Sequence, residues 1–352
     1  MDNQRAIDMA SARALILVLL LLVAPLSGFV TPSAADSVIN SDSQWSGEVI
    51  LSGNVTVANG TTLTIQSGTT IDAKEYWISV EGTLDANGVY FNSSNPPSSQ
   101  GSHGAGLWVG IEVANNGHAV LQNVVIENAE TGVLVEGTLE ANNLIVNDSY
   151  IAINVIGSSS VSDFTANHID FDAIRNSGNL VLDDATFDDI AIGVSNSGNF
   201  NGQDIAISSS GIGLSGSNGN LIANRVGISQ TTVGISSISG SSVEVSNITG
   251  SDVTLLVDAA NSDDLQLNTA AVAGHRLLSA NGATQYRLND IRFQSSTDAN
   301  RATIDSNCAG TCQFNQLEVW DSNHLATLSG NGQHEFTASQ LTGHDSGISA
   351  SG

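Results

Sequence analysis

Residues 131–137 read T-G-V-L-V-E-G; 151–157 follow as I-A-I-N-V-I-G, 191–198 as A-I-G-V-S-N-S-G and 232–240 as T-V-G-I-S-S-I-S-G. Each segment sets a small residue directly before an aliphatic one: Gly132 before Val133, Ala152 before Ile153, Gly193 before Val194, Gly234 before Ile235. Extended in both directions, that position gives a column of Ile111, Val133, Ile153, Ile174, Val194, Leu214, Ile235, Leu255, Leu278, Ile304, Leu328 and Ile348, with members 20 to 26 residues apart. A period of this size marks a solenoid, in which each repeat adds one layer to a shared core.

Between column members a second strand piece recurs, as in L-Q-N-V-V-I-E-N, A-N-N-L-I-V-N-D and L-D-D-A-T-F-D-D. Apolar and polar residues alternate with period two, and no helical spacing persists over a useful length. Ten residues before each small residue stands a second column, Gln122, Asn142, Asp163, Asp183, Gln203 and Asn224, with Asp163 fitting least well. Stacked amides at one level are expected to hydrogen-bond the turn backbone of adjacent layers. N-S-G-N-L at 176–180 and N-S-G-N-F at 196–200 repeat one turn chemistry. All four prolines lie at 25, 32, 96 and 97, so none falls in the repeats, where every strand must donate N–H groups.

The chain divides into a leader over 1–35, an N-terminal cap and first coils over 36–91 with Trp45 covering the first layer, a polar loop over 92–106, and repeats over 107–352. Arg5 and Arg13 precede the apolar run Ala14 to Val23, and Ser33-Ala34-Ala35 follows, which predicts a secretory signal-peptide helix cleaved after Ala35, with an uncleaved anchor as the alternative. Past Leu255 the spacing lengthens, which predicts longer turns or a wider coil; an uncapped last coil would invite end-to-end self-association or continuation into a longer product. In an exported chain, Cys308 and Cys312 are expected to form a local disulfide.

With 35 acidic and 9 basic residues the net charge is −26, and Lys74 is the one lysine. Such a surface repels nucleic acid and anionic lipid, and it suits solubility in salty surroundings.

The text at 47–135 resembles right-handed parallel β-helix repeat proteins of microbial surfaces and secreted fractions. The likeness rests on G-N-V-T-V and G-T-T-L-T-I with G-T-T-I, on G-T-L-D-A-N-G-V-Y-F, on W-V-G-I and on V-V-I-E-N-A-E-T-G-V. It implies an all-β, right-handed parallel β-helix of a dozen or more coils, about 4.8 Å per coil. Proteins of this kind include adhesion-type proteins and polysaccharide lyases and hydrolases, so the resemblance speaks to architecture more than to activity.

A glycosidase on this scaffold needs two carboxylates at fixed separation. The candidates are Asp183 with Asp184, Asp188 with Asp189, Asp170 with Asp172 and Asp263 with Asp264, although Asp is common in turns. A lyase needs a cation, and Arg287 and Arg292 near Arg276 suggest a small basic spot. G-H-R at 274–276 and G-H-D at 343–345 are present, without the R-I-K of polygalacturonase-type enzymes. The seven histidines show no ligand spacing; no cofactor is expected, and calcium at Asp- and Asn-rich turns would have no singled-out site. The leading function is a non-catalytic secreted or surface stalk, adhesin or glycan-contacting module, with carbohydrate or another surface protein as partner. A polysaccharide lyase or glycoside hydrolase is the alternative, and a surface-layer or filament component is the third reading.

Overall fold

Short alternating segments broken by Gly and Asn cannot bury a face alone, so they stack. The computed structural model describes residues 36–95, 108–238, 240–295 and 301–351, with the side chains of 343–346 excepted. The expected leader over 1–35 and most of the polar loop lie outside the described residues. Every element among the described residues is a β-strand, and all pairings are parallel, forming a solenoid of about 14 turns.

Each coil carries three pairing runs, not the two strand pieces suggested by the sequence. In the first coils they are separate strands: Ser37–Ile39, Ser43–Trp45 and Glu48–Ile50 pair with Val55–Val57, Thr62–Ile65 and Thr70–Asp72. Trp45 is therefore a buried member of the first coil, paired with Ile65. Farther along, the second and third runs fuse into single strands such as His118–Glu127 and Thr138–Ser149.

A single left-handed residue divides them. Asn123, Asn143, Asp163, Asp184, Asp204, Arg225, Asn247, Thr269, Asp290, Gln316 and Ala338 all have φ between 49° and 59°. A second left-handed row, Asn128, Asp148, His168, Asp189, Ser209, Gln230 and Asp252, turns the next corner five residues later. Asn and Asp tolerate this region better than other side chains, which accounts for their abundance. The third corner is a glycine turn. At Gly137, Gly157, Gly178 and Gly198 an added Cβ would lie 2.2–2.3 Å from carbonyl oxygens of the preceding coil, so no side chain fits.

The aliphatic column stands where the period put it: Val133 pairs with Ile153, Ile153 with Ile174, Ile174 with Val194, and Val194 with Leu214. Two members need correction. Ile235 pairs with Val257, and Val257 with Leu278, while Leu255 sits two residues earlier opposite Arg276 and is half-buried. Near the end, the Thr303 N–H donates to the His324 carbonyl and Ala326 pairs with Ile348, so Ala326 holds the level assigned to Leu328. The longest interval, from Leu278 to Ile304, places its extra residues between Ser295 and Thr303, whereas the Val257 to Leu278 interval keeps the ordinary length.

Inside, aliphatic side chains stack on their counterparts, and aromatic ones do the same: Phe164 meets Phe187 at 5.8 Å and Phe314 meets Phe336 at 4.5 Å. Asn176 and Asn196 are buried at the glycine turn. Asn176 Nδ2 donates to Asn196 Oδ1 at 2.7 Å and to the Asn199 carbonyl at 3.0 Å, so the repeated N-S-G-N text is an internal amide ladder. The other amide column is external and bonds sideways through its own side chains rather than to backbone. Asn142 Nδ2 donates to Ser162 Oγ at 2.8 Å and Gln203 Nε2 to Asp183 Oδ1 at 2.8 Å. Ser162 holds the level expected of Asp163, which is the left-handed residue beside it. Cys308 and Cys312, both buried, are joined in a disulfide with Cα atoms 6.3 Å apart.

Candidate functional site

Carboxylates adjacent in a strand or corner point to different places, and this separates the expected pairs. Asp183 accepts from Gln203 while Asp184 is a left-handed corner residue. Asp188 accepts from Ser208 Oγ at 2.7 Å, and Asp189, another corner, lies 3.7 Å from His168. Asp263 accepts from the Gly240 N–H at 2.7 Å and from Thr284 Oγ1 at 3.1 Å, whereas Asp264 starts the next strand. Asp183, Asp188 and Asp263 are each taken up separately by a neighbouring coil, and Asp264, at its strand start, has a buried Oδ1 with no hydrogen-bond partner among the described residues.

Asp172 is different. It is 1% exposed, its Oδ2 accepts from Arg175 Nε at 2.7 Å, and its Oδ1 has no hydrogen-bond partner among the described residues. Burial pushes its carboxyl above the usual range, against the opposing pull of Arg175. Beside it, Phe171 and Tyr150 stack one coil apart on the outside, with centroids 5.4 Å apart and ring planes 15° from parallel. They are 38% and 42% exposed, and the Arg175 guanidinium lies 5.1 Å from the Phe171 ring centre. This aromatic ledge was not anticipated, although two of the chain's few aromatics spaced 21 residues apart were a readable signal.

From Arg175 a row runs up this face in strict register through Ser195, Ser215, Ser236, Asp258 and Ser279 to Asp305; Ser236 is buried and the other members are half-buried or exposed. Six coil steps at about 4.8 Å give a track of about 29 Å. Half-buried Ile192, Ile212, Val233 and Leu255, also in register, flank it.

The track ends at an open recess of about 390 Å³ lined by Arg276, Ser279, Arg301, Asp305, His324 and Thr327. Arg276 Nε donates to the Ala302 carbonyl at 3.1 Å, and its terminal nitrogen lies 3.6 Å from Asp305. His324 Nε2 is 3.2 Å from Thr327 Oγ1. Burial raises the pKa of Asp258, partly offset by the charge of Arg276. The expected basic spot is therefore redrawn: Arg287 bonds Gln313 and Arg292 faces Glu318 on other runs of the coil, while Arg301 joins Arg276. Two other shallow hollows, one with Gln122, Glu140 and Asn142 and one with Ser208, Ser229 and Ser251, hold no positive charge. Among the described residues no group of three or more His, Cys, Asp or Glu is placed to hold a metal ion, and no helix is long and apolar enough to cross a membrane.

No protein-family model and no curated protein matches the chain. Among solved structures it is similar to a double mutant of the tailspike protein of E. coli bacteriophage HK620, at 9% identity over 86% of this chain and 72% of that one, with a TM-score of 0.50. It is also similar to the catalytic unit of a thermostable GH87 alpha-1,3-glucanase from Streptomyces thermodiastaticus strain HF3-3, at 12% identity over 86% of this chain, with a TM-score of 0.41. It spans 63% of that glucanase unit, less than two thirds of its length. Another structure of the same tailspike, in complex with a pentasaccharide, matches at 9% identity over 90% of this chain and 74% of that one, with a TM-score of 0.41. At such identities the likeness is one of fold: the chain is a parallel β-helix protein.

Proposed function

We propose that the chain is a non-catalytic secreted or cell-surface β-helix that holds a glycan along the track between Tyr150 and Asp305. The observation that carries this reading is the exposed, stacked Tyr150–Phe171 ledge at the foot of a hydroxyl-lined row in strict register. A sugar ring offers an apolar C–H face to an aromatic ring and hydroxyls to serine and carboxylate neighbours, so ledge and row suit its two kinds of surface. The tailspike of like architecture, solved with a pentasaccharide, makes oligosaccharides the first ligand class to test.

One observation favours an enzyme as second reading. Asp258, its carboxyl raised by burial, and Asp305 stand two coil steps apart on the same row, about 10 Å at about 4.8 Å per step. That is close to the upper end of an inverting pair's separation, about 6.5–9.5 Å.

A panel of extracellular polysaccharides and their hexasaccharides tests both. Binding without release of reducing or unsaturated ends is expected. The double variant Tyr150→Ala with Phe171→Ala should weaken binding by about 1–3 kcal/mol, roughly 5- to 150-fold. Unchanged affinity in that variant refutes the ledge, and turnover that Asp258→Asn abolishes would replace the non-catalytic reading with the enzyme.

A further inference from the structure

We propose that the recess around Arg276 and Arg301 binds the acidic substituent of a sugar, a carboxylate or a sulfate ester. The proposal rests on the glycan reading above and names the chemical class of ligand that the upper end of the track selects.

In a chain with 35 acidic and 9 basic residues, cations are scarce, and among the described residues most stand beside a carboxylate. Lys74 pairs with Asp72, Arg175 with Asp172 and Arg225 with Asp204, while Arg292 and Arg276 make longer contacts with Glu318 and Asp305, at 3.5 and 3.6 Å. The recess is where two guanidinium groups line one hollow. Arg276 is held rigidly: its side chain is 11% exposed and its Nε is committed to the Ala302 carbonyl. Its contact with Asp305, at 3.6 Å, is longer than a hydrogen bond, and Asp305 is 54% exposed, so the planar fork keeps donors for an incoming oxyanion. Arg301 is exposed on the rim and forms no ion pair among the described residues. Thr327, Ser279 and His324 supply hydroxyl and imidazole groups around the same hollow.

Carboxylate and sulfate oxygens match a guanidinium in two parallel hydrogen bonds, which an uncharged hydroxyl cannot do. The net charge of −26 opposes acidic ligands at long range, but that field fades over about 8 Å at 0.15 M salt, whereas contacts with the mostly buried Arg276 do not. The recess thus sets two guanidinium groups against the Asp305 carboxylate in its lining, with Asp258 near Arg276, at one end of the track.

The full chain is titrated calorimetrically at 0.15 M salt with an uncharged gluco-hexasaccharide, a glucuronate-containing hexasaccharide, a sulfated hexasaccharide and free glucuronic acid. At least one acidic hexasaccharide is expected to bind about tenfold tighter than the uncharged one, and the stronger of the two identifies carboxylate or sulfate. Arg301→Gln should bring the ratio of acidic to uncharged hexasaccharide affinity down to about one, and Arg301→Lys should restore part of it. Equal binding of all three hexasaccharides, or a preference that survives Arg301→Gln, overturns the proposal. Glycan binding that depends on Tyr150 and Phe171 but shows no preference for acid sinks the recess alone. Binding of free glucuronic acid that needs Arg301, with no effect of the ledge variant, supports the recess and sinks the ledge.

Discussion

Replacing Gly178 by alanine places a methyl group where the preceding coil already has backbone. Its Cβ would lie 2.2 Å from the Gly157 carbonyl oxygen and 2.3 Å from that of Ile156, so the turn must move out by about 1 Å to reach ordinary contact. That shift breaks the bonds from the Gly178 N–H to the Val155 carbonyl at 3.2 Å and from the Asn179 N–H to the Gly157 carbonyl at 2.9 Å. At about 1 kcal/mol each they contribute about 2 kcal/mol. Buried Asn176, whose Oδ1 accepts from the Gly178 N–H at 3.2 Å, loses a partner at a further cost of about 1–3 kcal/mol. The expected destabilisation is about 3–5 kcal/mol. Gly227→Ala is the control, because nothing lies closer than 3.9 Å to its added Cβ; no loss, or a gain of about 0.4–1 kcal/mol, is expected there. Urea unfolding gives the two values, and amide exchange shows whether the damage centres on the coils touching Gly178, as nearest-neighbour coupling requires. If Gly178→Ala unfolds within 0.5 kcal/mol of the parent, or Gly227→Ala is equally harmful, the close-approach account of the glycine turn is wrong.

Two further expectations concern charge and covalent bonding. The carboxyl of Asp172 is raised in the folded chain, so the native state keeps a proton that the unfolded one has lost, and stability falls as pH rises from the unfolded value of about 3.9 to the folded one; Asp172→Asn should flatten that part of a pH–stability curve, and an unchanged slope would show that the group does not titrate as described. The Cys308–Cys312 disulfide closes a loop with a sequence separation of 4, so reduction should lower unfolding free energy by only about 2 kcal/mol; a loss above about 4 kcal/mol, read from urea midpoints with and without reductant, would mean that the bridge constrains more than its own corner.

The aliphatic column from Ile111 to Ile235 was legible because the coil length hardly varies there, so a constant count stays on one row. It failed at Leu255 and Leu328 because every coil carries apolar residues two positions apart, as Ile212 and Leu214 or Leu255 and Val257; once the interval drifts, counting cannot choose between the two rows, and backbone pairing does. The corners were hidden for another reason. The left-handed row includes Asn, Asp, Arg, Thr, Gln and Ala, which share a φ angle rather than a chemistry. The recess was less readable still, since Arg276, Arg301 and His324 come from three coils of unequal length and no fixed period brings them together.

The paired left-handed corners bear on how such a chain can change length. Because each corner recurs once per circuit, duplicating or deleting a stretch that runs from one corner to its counterpart leaves every later side chain on its original side of the wall. A stray single-residue insertion inside a strand turns the rest of that run inside out. Inheritance of length in this molecule is therefore quantised in whole circuits, and irregular additions are tolerated where a circuit is already longest, as between Leu278 and Ile304.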